Sequence, residues 1–279
     1  MPSLWNIEFK DARMGYGDTV VLDQVNVTLP AGKISVILGG SGGGKSTMLR
    51  HIIGLSRPMA GKILLGGKDL FALKNKEFRM ARRRMGVLFQ DGALLGQLSV
   101  GENVGLPLSE HTKLPKHTIR EIVEHKLSLV GLGDFADYYP SELSGGMRKR
   151  AGLARALVTD PPILLCDEPT SGLDPISAAQ MDELLLDMKA QYPNMTIVSV
   201  SHDMASVKNI ADHVIVIQSG GIGFEGDLAG LENSDDPYLR RFMDRTPMPE
   251  EDRNDPRRTL SGETRRIMHA FLDKWLDRN

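Results

Sequence analysis

The chain has 279 residues, 41% of them hydrophobic and 25% charged, with a formal net charge of -2. That length can bury a sizeable core, and the charge balance excludes a global basic field of the kind that gathers nucleic acid. The single Cys166 excludes an intrachain disulfide and, inside an apolar run, reads as a small buried hydrophobe in a reducing compartment.

In chain order, β-rich runs are expected at Ile7 to Ala12, at Val20 to Leu29 closed by Pro30, Ala31 and Gly32, and at Ile34 to Leu38. The last feeds Gly39, Gly40, Ser41, Gly42, Gly43, Gly44, Lys45, Ser46 and Thr47, which fits the phosphate-loop pattern G-x-x-x-x-G-K-[ST]. Small residues are needed there so that backbone N–H groups can converge on phosphates, and the start of a following helix, Thr47 to Ile53, favours negative charge. Lys45 is the candidate cation for the β and γ phosphates of ATP, and the Ser46 hydroxyl a candidate Mg²⁺ ligand. Gly54 and Pro58 end that helix, and Ile63 to Leu65 with Gly66 and Gly67 reads as a strand and turn. Lys74, Lys76, Arg79, Arg82, Arg83 and Arg84 form a basic cluster, readable as a solvated helix face or as attraction to anionic lipid headgroups. Met85 to Phe89 is a further short strand, ended by Gln90.

From about Asp91 to Val158 the pattern turns helical, including Lys116 to Val130 and Gly145 to Leu157, with breaks at Gly131, Gly133 and Pro140. Alternation then returns with strand Ile163 to Cys166, a helix from Ile176 to about Ala190, strand Thr196 to Val200, a helix after Asp203 and strand Val214 to Gln218. Such alternation implies an α/β fold with a mainly parallel sheet covered by helices and a helical lobe inserted in it. The apolar strand before Asp167 and Glu168 delivers both acids to the carboxyl end of the sheet, where ligands collect, on opposite strand faces. Asp167 is then a candidate for the Mg²⁺ shell and Glu168 for the base that takes a proton from the attacking water. Asp182 and Glu183 lack such a strand and read as adjacent surface acids. Ser144, Gly145 and Gly146 open a second helix N-terminus fit for an anion.

Beyond about Asn233 the composition becomes linker-like, with prolines at 237, 247, 249 and 256. A last helix follows, capped by Ser261 and carrying Ile267, Met268, Phe271, Leu272 and Trp275 on one face. Its stripe suits packing on the same chain, docking on a neighbouring subunit or membrane-surface contact. No window reaches about eighteen apolar residues, and Met1 to Lys10 lacks signal-peptide features, so a soluble subunit is expected, reaching a membrane only through a spanning partner.

The phosphate loop, Gln90, the signature Leu143, Ser144, Gly145, Gly146 and Met147, the run Ile163 to Glu168, and His202 stand in one order. On these residues the chain resembles the nucleotide-binding subunit of an ABC transporter over about residues 5 to 232. The resemblance implies a P-loop NTPase in which residues 1-232 form the nucleotide-binding domain, with a RecA-like core, an antiparallel β subdomain and a helical subdomain of about 91-158 inserted. Residues 233-279 are then a C-terminal extension with a terminal amphipathic helix. It implies Tyr16 stacked on adenine, Gln90 at Mg²⁺ or the water, His202 as the switch histidine, and the signature closed on the ATP of a partner subunit. Ser171, Gly172, Leu173 and Asp174 form the D-loop across that seam, so two chains sandwich two ATP molecules head to tail. Met147 departs from the usual glutamine and leaves the backbone donors intact. A plain P-loop kinase lacks the signature, and non-transport ABC proteins usually carry tandem domains or a long coiled-coil insertion.

The stretch Phe89 to Leu95, then Ser99 to Leu108 and Glu110, His111 and Thr112, looks like the ATPase of Mla-type phospholipid transport systems. Ser141-Glu142, Met147 and Asp236 to Asp244 point the same way. That likeness implies a homodimer on an integral-membrane permease at the cytoplasmic face of the bacterial inner membrane, with an MCE-domain lipid-binding protein and a small regulatory subunit, and no nucleic acid. An amino-acid importer or lipoprotein-releasing pump is the alternative.

Overall fold

The computed structural model describes residues 5–244, so the expected terminal helix lies outside the described residues. The chain opens with the hairpin β1 (Ile7–Tyr16) and β2 (Thr19–Leu29), then β3 (Ile34–Gly39), the phosphate loop, α1 (Lys45–Ile52), β4 (Ala60–Leu65) and β5 (Lys68–Asp69). After α2 (Asn75–Arg82) and β6 (Met85–Leu88), three helices follow without a strand: α3 (Val100–His111), α4 (Lys116–Leu129) and α5 (Gly145–Leu157). Alternation resumes with β7 (Ile163–Asp167), α6 (Pro175–Gln191), β8 (Thr196–Val200), α7 (Met204–Ile210) and β9 (His213–Gln218). β10 (Gly221–Gly226), α8 (Leu228–Glu232) and α9 (Pro237–Met243) complete the described chain.

Two sheets result. The larger runs β10-β9-β3-β8-β7-β6, parallel from β9 to β6 with β10 antiparallel at one edge. β3 and β8 are buried along their whole length, the apolar run expected of strands covered on both faces. The smaller sheet, β2-β1-β4-β5, is antiparallel. Along β1, Ile7 and Phe9 are buried while Lys10 is exposed, so one face turns inward. That face meets Met48, Leu49 and Ile52 of α1 and Ile37, Leu165 and Val198 of the parallel sheet in one core. Helical spacing of those three α1 residues places them on one side, which fixes α1 and the loop before it.

The inserted helices are locally well determined. Ser99 caps α3, accepting from the Glu102 N–H at 3.2 Å while the Glu102 carboxylate accepts from the Ser99 N–H at 2.7 Å. Fully buried Asn103 pins the preceding loop through the Leu95 N–H and the Leu95, Leu98 and Ser99 carbonyls.

Several expectations are corrected. β1 runs four residues past Ala12, and β5, β10, α8 and α9 were not foreseen. Asp182 is 3% exposed and not a surface acid: it accepts from Ser206 Oγ at 2.5 Å and Asn209 Nδ2 at 3.3 Å, clasping α7 to α6. β7 ends at Asp167, and Glu168 adopts φ +50°, so the two acids do not alternate along one extended strand. Cys166 is fully buried, its thiol pushed up to about 12 by burial.

The chain divides into two compact units after Leu231. In the second, Asp236 caps α9 by accepting from the Tyr238 and Leu239 N–H groups, with Pro237 at the first helical position. Among the described residues no helix is long and apolar enough to cross a membrane.

Candidate nucleotide site

β3 delivers Gly39 to the carboxyl edge of the parallel sheet, and α1 begins at Lys45. Gly44 caps α1 at φ +108°, and a Cβ there would lie 2.8 Å from the Leu22 side chain, so the turn admits only glycine without strain. Lys45 is 6% exposed, and its ammonium donates to the Gly39 and Gly40 carbonyls at 2.9 and 3.1 Å. Burial lowers its pKa, against the raising effect of Glu168 and Asp167.

The parallel register brings distant residues to this edge. Ser46 Oγ donates to Asp167 Oδ1 at 3.2 Å. Burial raises the Asp167 pKa, opposed by the Ser46 hydrogen bond and by Arg50 and Lys45, and reinforced by Glu168. Glu168 Oε1 lies 3.4 Å from His202 Nδ1, with the carboxylate 19% and the imidazole 55% exposed. Gln90 follows β6, whose register against β7 sets Leu88 beside Cys166 and leads Gln90 toward the same edge. No hydrogen bond joins the Gln90 side chain to either acid among the described residues. Tyr16 ends β1, its hydroxyl 3.0 Å from Thr47 Oγ1 and its ring 42% exposed.

Ser144 caps α5 and accepts from the Met147 N–H at 3.2 Å, while Gly145 and Gly146 form its first turn. Leu143 is buried, and its carbonyl accepts from Arg148 Nη1 at 2.6 Å. A Cβ on Gly146 would come within 4 Å of Leu173 and Ser177, so the first turn of α5 and the start of α6 with the turn before it lie side by side in one chain. Asp174 caps α6, accepting from the Ile176 and Ser177 N–H groups and from Ser177 Oγ. These bonds, the Ser177 hydroxyl foremost, hold its carboxyl below the usual range.

Three basic residues at this edge went unrecognised in the sequence. Arg50 stands 5.9 Å from the centroid of the Tyr16 ring. Arg155 donates to the Gly92 and Ala93 carbonyls at 2.7 and 2.8 Å, tying α5 to the loop after Gln90. Lys149, 4% exposed, donates to the Glu168 and Ser171 carbonyls. Burial lowers the Lys149 pKa, with Asp91 and Glu168 opposing. One signal for Lys149 lay in the run Arg148-Lys149-Arg150, because successive helix residues point about 100° apart and one of the three faces inward.

For Mg²⁺, the Ser46 hydroxyl and one Asp167 carboxylate oxygen are hard donors already together, and a protein set this small fits an ion that keeps waters and takes substrate phosphates. No group of three or more His, Cys, Asp or Glu forms a dedicated metal cage among the described residues. Farther along, a groove of about 850 Å³ opens between the parallel sheet and the inserted helices. Leu55, Val87, Phe89 and Leu106 line it, with Arg79 and Arg82 also on its wall.

Comparison with known proteins places the chain among relatives of one family. The family described as "ABC transporter" matches residues 22–171. A protein of Mycobacterium leprae named "Probable ribonucleotide transport ATP-binding protein mkl" is 44% identical over 87% of this chain and 70% of its own length. The Mycobacterium tuberculosis protein of the same name is matched over 66% of its length, so the chain spans about two thirds of these relatives. The Haemophilus influenzae protein named "Intermembrane phospholipid transport system ATP-binding protein MlaF" is 43% identical over 85% of this chain and 89% of its own. Among solved structures, a dimeric ATP-binding cassette in a post-hydrolysis state bound to ADP and Pi superposes with a TM-score of 0.73 at 30% identity, covering 80% of this chain and 98% of that one.

Proposed function

We propose, for a chain that belongs to the ABC transporter family, that it is the ATPase subunit powering a membrane phospholipid transporter. It binds and hydrolyses ATP, as ATPases of this family do in dimers working with membrane permeases. The observation that carries the phospholipid reading is the likeness to the phospholipid-transport ATPases along most of their own length.

At the site, Lys45 holds the β and γ phosphates among the N–H groups at the start of α1. Ser46 and Asp167 would hold Mg²⁺, which neutralises charge on the transferring phosphate. Glu168 takes the proton of the attacking water, with His202 3.4 Å away to orient the carboxylate and reach toward the γ phosphate. Gln90 closes the edge, and Tyr16 supplies a half-exposed ring for adenine, a stacking contact of about 1–3 kcal/mol per base. The α5 N-terminus at Ser144 to Met147 grips the ATP of a second copy, and Ser171 to Asp174 line the seam. In the groove, apolar side chains beside arginines suit an amphipathic helix of the permease carrying an acid. An MCE-domain lipid-binding protein and a small regulatory subunit complete the assembly, which sits peripherally on the cytoplasmic face of a bacterial inner membrane.

A second reading, ribonucleotide transport, is favoured by the name of the mycobacterial relatives. Co-purification of the tagged chain from native membranes, with mass spectrometry of proteins and small molecules, separates the two. A polytopic permease, an MCE-domain protein and phospholipid support the first. Nucleotide cargo on a different permease supports the second, and recovery without any membrane protein overturns both.

A further inference from the structure

The three bases at the start of α5 go to three different places. Arg148 Nη1 donates to the Leu143 carbonyl at 2.6 Å, beside the signature. Arg150 Nη1 donates to the Val130 carbonyl at 2.9 Å, behind α4. Between them Lys149 turns inward, and its ammonium donates to the Glu168 carbonyl at 3.0 Å and the Ser171 carbonyl at 2.5 Å. A charge so buried persists only with partners, and its two partners are backbone oxygens of the segment that carries the acid and opens the D-loop.

That segment needs support. Glu168 is a non-glycine residue at φ +50°, a conformation that persists where its surroundings over-determine it. Its N–H donates to the Val200 carbonyl at 3.0 Å, and its carbonyl accepts from the Ser171 N–H at 3.2 Å as well as from Lys149. The peptide on one side of Glu168 is therefore held by β8, and on the other by α5.

We propose that Lys149 is a positioning residue through which the helix that meets the partner's ATP sets the backbone of this chain's own base and D-loop. The proposal rests on the reading above, in which Glu168 is the base and the α5 N-terminus grips nucleotide in trans. Lys149 stands roughly 6 Å along the axis from Gly145, one turn into a rigid helix, so a shift of the helix toward the partner's phosphate carries the ammonium with it. The Glu168 and Ser171 carbonyls follow. Occupancy of one site is thereby written into the geometry of the other, and by linkage the effect is reciprocal for binding.

The test uses the full chain in complex with its permease. Lys149→Met keeps most of the stem and removes the donors; kcat should fall by about 10 to 10²-fold, the scale of a 1 Å misplacement, with KM for ATP changed by less than about threefold. The Hill coefficient should fall toward one, and Lys149→Arg should restore most of kcat. In a Glu168→Gln background, ATP-driven dimerisation should survive Lys149→Met. If the Met variant does not fold, Lys149→Gln, which keeps one shorter donor, is read by the same criteria. Unchanged kcat, parallel loss of kcat and affinity, or loss of dimerisation would each overturn the proposal. Normal turnover by Glu168→Gln alone would instead remove the parent reading, leaving Lys149 no base to position.

Discussion

Glu168 stands on a left-handed backbone, with its carboxylate 19% exposed and 3.4 Å from an imidazole. A positioned base contributes about 10² to 10⁴-fold, so with Glu168 in the proposed role Glu168→Gln should slow steady-state hydrolysis by that order while leaving ATP binding intact. Near-normal turnover would remove the assignment. Lys45→Ala should abolish measurable nucleotide affinity, because a buried phosphate would lose its principal cation; unaltered titration with a fluorescent ATP analogue would refute that role. Lys45 and Ser46, at the start of α1 after the glycine loop, and Asp167, Glu168 and His202, at or just past the ends of β7 and β8, were legible as candidates because each stands in a recognisable pattern. Lys149, Arg50 and Arg155 were not, since their partners are backbone carbonyls or a ring far away in sequence, and no pattern of residue types records those.

Asp182 belongs to the scale of elements, since it joins α6 to the helix that follows His202. Burial raises its pKa, with hydrogen bonds from Ser206 and Asn209 opposing. The folded chain therefore keeps this proton to higher pH than the unfolded chain. Its contribution to stability grows as pH falls through the raised value toward the ordinary carboxylate range and is lost as pH rises through it. Asp182→Asn should flatten that part of the pH dependence of urea unfolding; an unchanged slope would place the titration elsewhere. Asp182→Ala should cost about 1–3 kcal/mol, because the buried Ser206 hydroxyl loses its acceptor. The helix pattern around Asp182 hid this role, because the periodicity of α6 says little about an acid whose partner lies on another helix. β10 was missed for a different reason: Gly221, Gly223 and Gly226 dilute its strand signal, and only pairing with β9 makes it a strand. In α9, Asp236-Pro237 is a good helix start that reads equally well as linker.

At the scale of the whole molecule, the parallel sheet and the inserted helices leave between them the groove lined by Leu55 and Phe89, both partly exposed. If it seats the permease, Leu55→Glu should abolish recovery of the permease with the tagged chain and leave the affinity of the purified chain for ATP unaltered. Retention of the permease would move the docking surface elsewhere. The alternation of strands and helices was readable from the sequence, whereas the share of the groove's wall supplied by Leu55, Arg79 and Arg82 was not, because it comes from segments that no periodicity connects to the inserted helices.

β6 is the outermost strand on that side, four residues long, and follows Arg79, Arg82, Arg83 and Arg84. An edge strand offers unpaired backbone groups to any similar edge, and short length with flanking positive charge is a common protection. Positive charge set beside so short an edge opposes the approach of an identical edge on a second copy, so the same arginines that wall the groove also disfavour edge-to-edge pairing of two chains.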